Sequence, residues 1–144
     1  MRQCGTCNAC CTFMGVPEID KQSFAKCKNV SDKPNTTRCC TIYNERPESC
    51  SVFKCAWLYG LGSSRDRPDR SGLFVHFSNT SGRDQAQVYR VGSTWSERAQ
   101  RMIDRIAEVA VVIFISEGHR SIIGGPRADV EYLARRISEA QETP

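Results

Sequence analysis

The sequence predicts an α+β protein. An irregular, cysteine-rich N-terminal lobe packs on a small antiparallel sheet with helices, the second half running in roughly ββαββα order. Three observations predict this. All nine cysteines lie between Cys4 and Cys55. Counting Ile, Leu, Val, Met, Phe and Trp, residues 1–55 hold 10 of 55, too few for a hydrophobic core of their own, whereas residues 56–144 hold 24 of 89. After Gly72 the apolar positions fall into the period of strands and then of helices. The 144 residues suit one compact domain, divided into a cysteine-rich lobe at 1–59, a linking loop at 60–72 and a small α+β lobe at 73–144.

Each element follows from local pattern. Residues 1–55 read as loops and short turns, with two turns of helix expected over Pro17 to Lys26 because proline suits a first helical position. The bridge GLGSSRDRPDRSG, residues 60–72, is polar and rich in Gly, Ser and Arg. Leu73, Val75 and Phe77 alternate with Phe74 and His76 as a strand does, and NTSGRD turns the chain into a second strand over Ala86 to Val91. Thr94 and Glu97 have capping-box spacing, opening a helix whose stripe is Ala99, Met102, Ile103, Ile106, Ala107 and Ala110. Val111 to Ile115 is β-branched and aromatic, and Ser116-Glu117-Gly118-His119 turns it toward Arg120–Ile123 as a second hairpin. Gly124-Gly125-Pro126 breaks the chain before a closing helix marked by Val130, Leu133, Ala134 and Ile137. The helices are expected on one face of the sheet.

Composition excludes several classes. The longest apolar run, Val109 to Ile115, is far too short to span a bilayer, so no membrane is expected. MRQCGTCNACC has no apolar stretch of the kind a secretory signal needs, and the expectation is a cytoplasmic protein. Residues 1–60 carry eight basic and five acidic groups without a basic block, which argues against a nucleic-acid partner. An odd number of cysteines in a thiol-reducing compartment argues against a disulfide framework.

Dense cysteine in that compartment points to metal. Cys4-x2-Cys7-x2-Cys10-Cys11 opens the chain, followed by Cys27, the Cys39-Cys40 pair and Cys50-x4-Cys55. A Cys-x2-Cys turn converges two thiolates on one ion, and both tetrahedral zinc and an iron–sulfur cubane accept it. With His76 and His119 both outside the segment, the ligands must be thiolates, which selects zinc or iron–sulfur over magnesium, calcium or a facial-triad iron. Neighbouring side chains diverge, so Cys10 and Cys11 are expected to serve different partners, as are Cys39 and Cys40. Two zinc ions held by eight thiolates would carry about −4, cancelling the formal +4 of the chain.

The order CGTCNACC, CTFMGVPEIDK, Cys27, CTIYNERPESCSVFKCAWL and RPDRSG, from residue 4 to about residue 75, resembles the bacterial zinc- or iron-chelating domain family. That family is also called the CxxCxxCC family and includes the flagellin N-methylase group. The resemblance implies metal-site cysteines at Cys4, Cys7, Cys10, Cys11, Cys27, Cys40, Cys50 and Cys55, with Cys39 left outside. It leaves open whether all eight bind metal or four do, and whether the centre is zinc or an iron–sulfur cluster, of the [4Fe–4S] type if iron.

Around the cysteines, Pro47 is expected to start the turn that carries Cys50. Arg46 is read either as a guanidinium offsetting thiolate charge or as a solvated arginine before that turn. Tyr43, Phe53 and Trp57 are expected to pack the site against the α+β half. His76 and His119 read as structural, and Gly60, Gly62, Gly124 and Gly125 as turns. No catalytic Ser/His/Asp set or carboxylate pair can be named. Three roles remain open: a metal-binding protein, with room for a protein partner; a cluster-bearing enzyme or subunit in methyl or electron transfer, as the flagellin N-methylase relatives imply; and a thiol redox or metal-handling module.

Overall fold

In a computed structural model the apolar alternation after Gly72 becomes a four-stranded sheet: β1 (Leu73–Thr80), β2 (Arg83–Arg90), β3 (Val111–Ser116) and β4 (His119–Gly124), in that spatial order. Residues 2–33 and 37–142 are described. Met1, residues 34–36 and residues 143–144, and with them the outer ends of both expected lobes, lie outside the described residues. The protein is mixed α+β.

Ser81 and Gly82, both at positive φ, close the β1–β2 hairpin in a two-residue turn, with Thr80 paired to Arg83. The sheet is mixed rather than antiparallel, which corrects the sequence expectation. β2 and β3 run parallel, from Gln85 opposite Val111 to Val88 opposite Phe114. The cause is helix α4 (Glu97–Ala107), which carries the chain back along the sheet so that β3 starts from the same end as β2. Ser96 caps α4, its hydroxyl accepting from the Ala99 N–H at 3.1 Å, in place of the expected Thr94.

The pleat sends alternate residues to opposite faces, and each face has its own cover. Leu73, Val75, Ala86, Val88 and Val112 meet Ala99, Ile103 and Ile106 of α4. Phe74, Tyr89, Val111, Ile113 and Ile115 point the other way, where Phe13, Phe24, Phe53 and Trp57 of the N-terminal segment and Val130 and Leu133 of α5 (Arg127–Glu142) cover them. The helices therefore lie on both faces, correcting the one-face expectation. α5 is held by an Asp129–Arg83 ion pair, with the Arg83 guanidinium also over the Tyr132 ring at 4.2 Å.

The N-terminal segment is built from one-turn pieces: α1 (Ala9–Phe13), a 3₁₀ turn at Pro17–Ile19, another at Tyr43–Glu45, and α2 (Glu48–Val52). The helix expected over Pro17 to Lys26 stops after three residues. Asp20 takes a left-handed conformation (φ 52), and Val16 and Lys21 then pair across the loop.

Residues 60–72 fold into a 3₁₀ turn at Ser64–Asp66 and the single turn α3 (Pro68–Ser71). Gly72 ends α3 at φ +76, and a Cβ there would lie 2.3 Å from the Thr94 carbonyl oxygen, so only glycine fits. Asp66 accepts from Arg98 of α4 at 2.9 and 3.0 Å and from the Ser63 N–H and hydroxyl at 2.7 and 2.8 Å. These bonds, Arg98 foremost, hold the Asp66 carboxyl well below the usual carboxylate range. On the other side, Arg67 grips Asp69 through two bonds of 2.7 Å and reaches Thr6 at 3.2 Å. This stretch ties α4 to the first cysteine turn.

Two outcomes are expected. Phe74, 1% exposed, is the centre of the second cluster, and Phe74→Ala should cost about 3–5 kcal/mol in urea unfolding. Asp66 is ionised in the folded state at pH values where the unfolded carboxyl, near pKa 3.9, is already protonated. Its contribution is therefore complete above that pH and fades as pH falls through the lower folded value. Because Arg98 is half-exposed, Asp66→Asn should cost about 2 kcal/mol at pH 7, and urea midpoints of mutant and wild type should converge at acid pH.

Candidate functional site

The first cysteine turn is closed by a Cys7 N–H to Cys4 carbonyl bond of 3.0 Å, which Gly5 permits by adopting φ +59. Cys10 and Cys11 follow on α1. The Cys27 N–H bonds the Cys11 carbonyl at 3.0 Å, and Val30, itself bonded to the Cys27 carbonyl, pairs with Cys40. Pro47 starts α2 as expected, and the Cys50 N–H bonds its carbonyl at 3.0 Å. That turn is pinned from outside by Glu18, which accepts from the Ser49 N–H at 3.0 Å and its hydroxyl at 2.9 Å. Cys55 is buried one residue before Ala56, whose N–H bonds the Val75 carbonyl of β1 at 2.9 Å.

All nine cysteines, drawn from across the whole segment, line one cavity of about 540 Å³, and all nine are free thiols. The eight that the sequence analysis singled out are thus brought to one place. Cys39, left out there, lines the same cavity, but its thiol donates to the Cys7 carbonyl at 3.4 Å. Among the described residues, no group of three or more His, Cys, Asp or Glu side chains is gathered as the ligands of a single ion.

The rest of the lining has one sign. Arg2, Lys21, Arg38, Arg46 and Lys54 border the cavity, and among the described residues no Asp, Glu or His does. Lys21 is only 8% exposed, with its ammonium held by the carbonyls of Thr12 (3.2 Å), Met14 (2.6 Å) and Gln22 (3.0 Å). Burial lowers its pKa, and the neighbouring Cys27, Cys11, Cys10 and Cys50 raise it in part. Arg46 stacks on the Tyr43 ring at 3.8 Å, and among the described residues its buried Nε has no hydrogen-bond partner. Tyr43 lies between the guanidiniums of Arg46 and Arg38 (4.1 Å). It serves the cations rather than packing against the α+β half, which corrects that expectation. Phe53 and Trp57 do pack there, Phe53 lying 6.2 Å from Phe74.

Burial pushes the Cys4, Cys40 and Cys50 thiols up, and Cys7 and Cys39 up to about 11. Cys11 goes the other way, down to about 7, because the Cys10 thiol donates to it and Lys21 and Arg46 face it. Cys10 correspondingly holds its proton more tightly. The two sulfurs meet although their Cβ atoms set out in different directions. The donor set fits a thiophilic metal: nine thiols line the cavity, and among the described residues no carboxylate or imidazole does.

Sequence reasoning missed Lys21 and Arg2. A lysine after Asp20 reads as a surface charge, and only the turn at Asp20 brings it inside. Arg2 reaches the carbonyls of Trp57 (2.7 Å), Leu61 (2.9 Å) and Gly62 (2.6 Å), contacts some 55 to 60 residues away. His76 packs on Phe53 at 5.1 Å and His119 bonds Ser121 at 2.8 Å; neither lines the cysteine cavity. Comparison of the chain with models of known protein families, with curated proteins and with solved structures returns no match.

In metal-free protein whose N-terminal segment is still folded, Cys11 should be the first thiol alkylated by iodoacetamide, with its rate rising around pH 7, whereas Cys7 and Cys39 react only at far more alkaline pH. Lys21→Met should move the Cys11 profile upward, because it removes a cation that favours the thiolate; peptide mass mapping against pH reads both.

Proposed function

We propose that this chain is a metal-binding protein whose N-terminal segment folds around a thiolate-ligated centre, zinc or an iron–sulfur cluster, of the [4Fe–4S] type if iron. One observation carries the reading: nine free thiols separated by as much as fifty residues of chain line a single cavity whose charged wall is entirely cationic among the described residues. Thiols at raised pKa bind metal weakly until something compensates their charge. A bound metal supplies that compensation, together with folding free energy that the apolar-poor segment lacks. The ligands in this proposal are Cys4, Cys7, Cys10, Cys11, Cys27, Cys40, Cys50 and Cys55, the set that the resemblance to the CxxCxxCC family implies.

Lys21, Arg46 and Arg2 have the role of holding a net-negative thiolate centre in a desolvated place, at a cost they could not recover against neutral thiols. Among the described residues, no helix is long and apolar enough to cross a membrane. A cytoplasmic setting, where thiols stay reduced, belongs to the same proposal. So does a protein partner, since a net-negative centre offsets the +4 that would favour nucleic acid.

Anaerobically purified protein should contain at least one zinc, or at least one iron with a bleachable visible band, per chain. Metal should be lost as pH falls toward 5, because protons compete for thiols whose pKa is raised. A chelator should render residues 2–55 protease-sensitive before the sheet. Less than one metal per chain, with all nine thiols reacting at once, would defeat the reading in favour of a thiol redox module.

A further inference from the structure

Two groups of thiols separate within the cavity by the backbone that carries them. The first lies toward the sheet. Cys4 and Cys7 share one turn, and Cys7, Cys10 and Cys55 belong to the apolar cluster around Phe74. Arg2, two residues before Cys4, donates to the Trp57 carbonyl, two residues after Cys55, at 2.7 Å and so holds the ends of this group together.

The second, Cys11, Cys27, Cys40 and Cys50, lies outside that apolar cluster among the described residues. Cys11 and Cys27 are joined by a backbone bond of 3.0 Å, and the Val30–Cys40 pairing, backed by Thr41 N–H to the Asn29 carbonyl at 2.9 Å, places Cys40 beside them. The Glu18–Ser49 bonds bring the Cys50 turn to the Pro17–Lys21 loop, whose Lys21 ammonium faces Cys27, Cys11 and Cys50 as well as Cys10 at the boundary. Cys40 and Cys50 each feel Cys11 and Cys27, and Cys4 feels Cys55, while Cys11 also reaches Cys4 and Cys10 across the boundary.

We propose that the cavity holds two four-thiolate sites, one of Cys4, Cys7, Cys10 and Cys55 and one of Cys11, Cys27, Cys40 and Cys50, with Cys39 in neither. The inference rests on the metal-binding reading and adds the number of centres and their ligands. The first site has a Cys-x2-Cys-x2-Cys run with its fourth ligand far along the chain, the arrangement in which a short run supplies three cluster thiolates and a distant cysteine the last. The second has ligands from four separate turns, each fixed by a backbone bond. The seam runs between Cys10 and Cys11, whose Cβ atoms set out in different directions although the Cys10 thiol donates to Cys11. Cys39 is 5% exposed and spends its proton on the Cys7 carbonyl, so it braces the first turn from the position next to Cys40.

The test is metal and acid-labile sulfide content of anaerobically purified full-length chain, wild type against Cys4→Ser/Cys55→Ser, Cys27→Ser/Cys50→Ser and Cys39→Ala. The wild type should hold two zinc, or two cubanes' worth of iron and sulfide, per chain, and Cys39→Ala the same. Each paired variant should retain half. A wild type with a single centre overturns this inference while leaving metal binding intact, and a wild type with no metal overturns both. Loss of all metal from both paired variants with the circular-dichroism signal retained, or loss of half from Cys39→Ala, overturns the partition. The wild-type and Cys39→Ala contents decide the matter even where a paired variant fails to fold.

Discussion

Phe13, Phe74 and Tyr89 form the joint on which the structure depends. Their rings lie 5.2 to 5.8 Å apart, with Phe53 and Phe24 against them. One face of the sheet offers Phe74, Tyr89, Ile113 and Ile115, and α5 covers only part of it. The cysteine-rich segment lacks apolar mass to close on itself, yet it has Phe13, Phe24, Phe53 and Trp57 to give to that face. Each half completes the other's burial, because the segment sits where α4 sits on the opposite side. Phe13 is on the same short helix as Cys10 and Cys11, and Phe53 lies between Cys50 and Cys55. The contact that anchors the segment therefore also positions the thiols.

Behind that joint the problem is electrostatic. Nine thiols in one cavity repel one another as soon as they ionise, and burial raises the cost further. The fold answers with fixed positive charge: Lys21 tethered to three carbonyls, Arg46 and Arg38 stacked on Tyr43, Arg2 gripping the 57–62 turn. Lys21 and Arg2 are oriented by backbone oxygens, and Arg46 by a ring face. Nearby acidic residues are engaged by other partners, Glu18 by Ser49, Asp66 by Arg98 and Asp69 by Arg67. Arg67 and Asp66, adjacent in sequence, pull in opposite directions, one on the first cysteine turn and the other on α4. A polar bridge thereby transmits the position of the sheet to the site.

How much of this was legible in sequence depends on the range of the interaction. The β1–β2 hairpin, the stripe of α4 and the turn from Pro47 to Cys50 are short-range matters, decided by neighbours a few residues apart, and they formed where expected, except that the hairpin turn shrinks from NTSGRD to Ser81-Gly82 and β2 starts at Arg83 rather than Ala86. The clustering of the cysteines was also foreseeable, since a segment so poor in apolar residues needs another reason to stay together. The parallel pairing of β2 with β3 was not, because periodicity is blind to strand direction and only the path of α4 sets it. Nor was the fate of Lys21, whose neighbours in sequence, Asp20 and Gln22, describe a surface.

The sequence alone thus determined the α+β class, most element positions and the concentration of sulfur in the first fifty-five residues, because each is a property of composition or local spacing. Tertiary structure alone decided that both sheet faces are covered, that five cations and no anion border the thiols among the described residues, and that Cys39 bonds a backbone carbonyl. Those facts arise where distant stretches of chain return to one another, and the energy of such meetings is written in no single stretch.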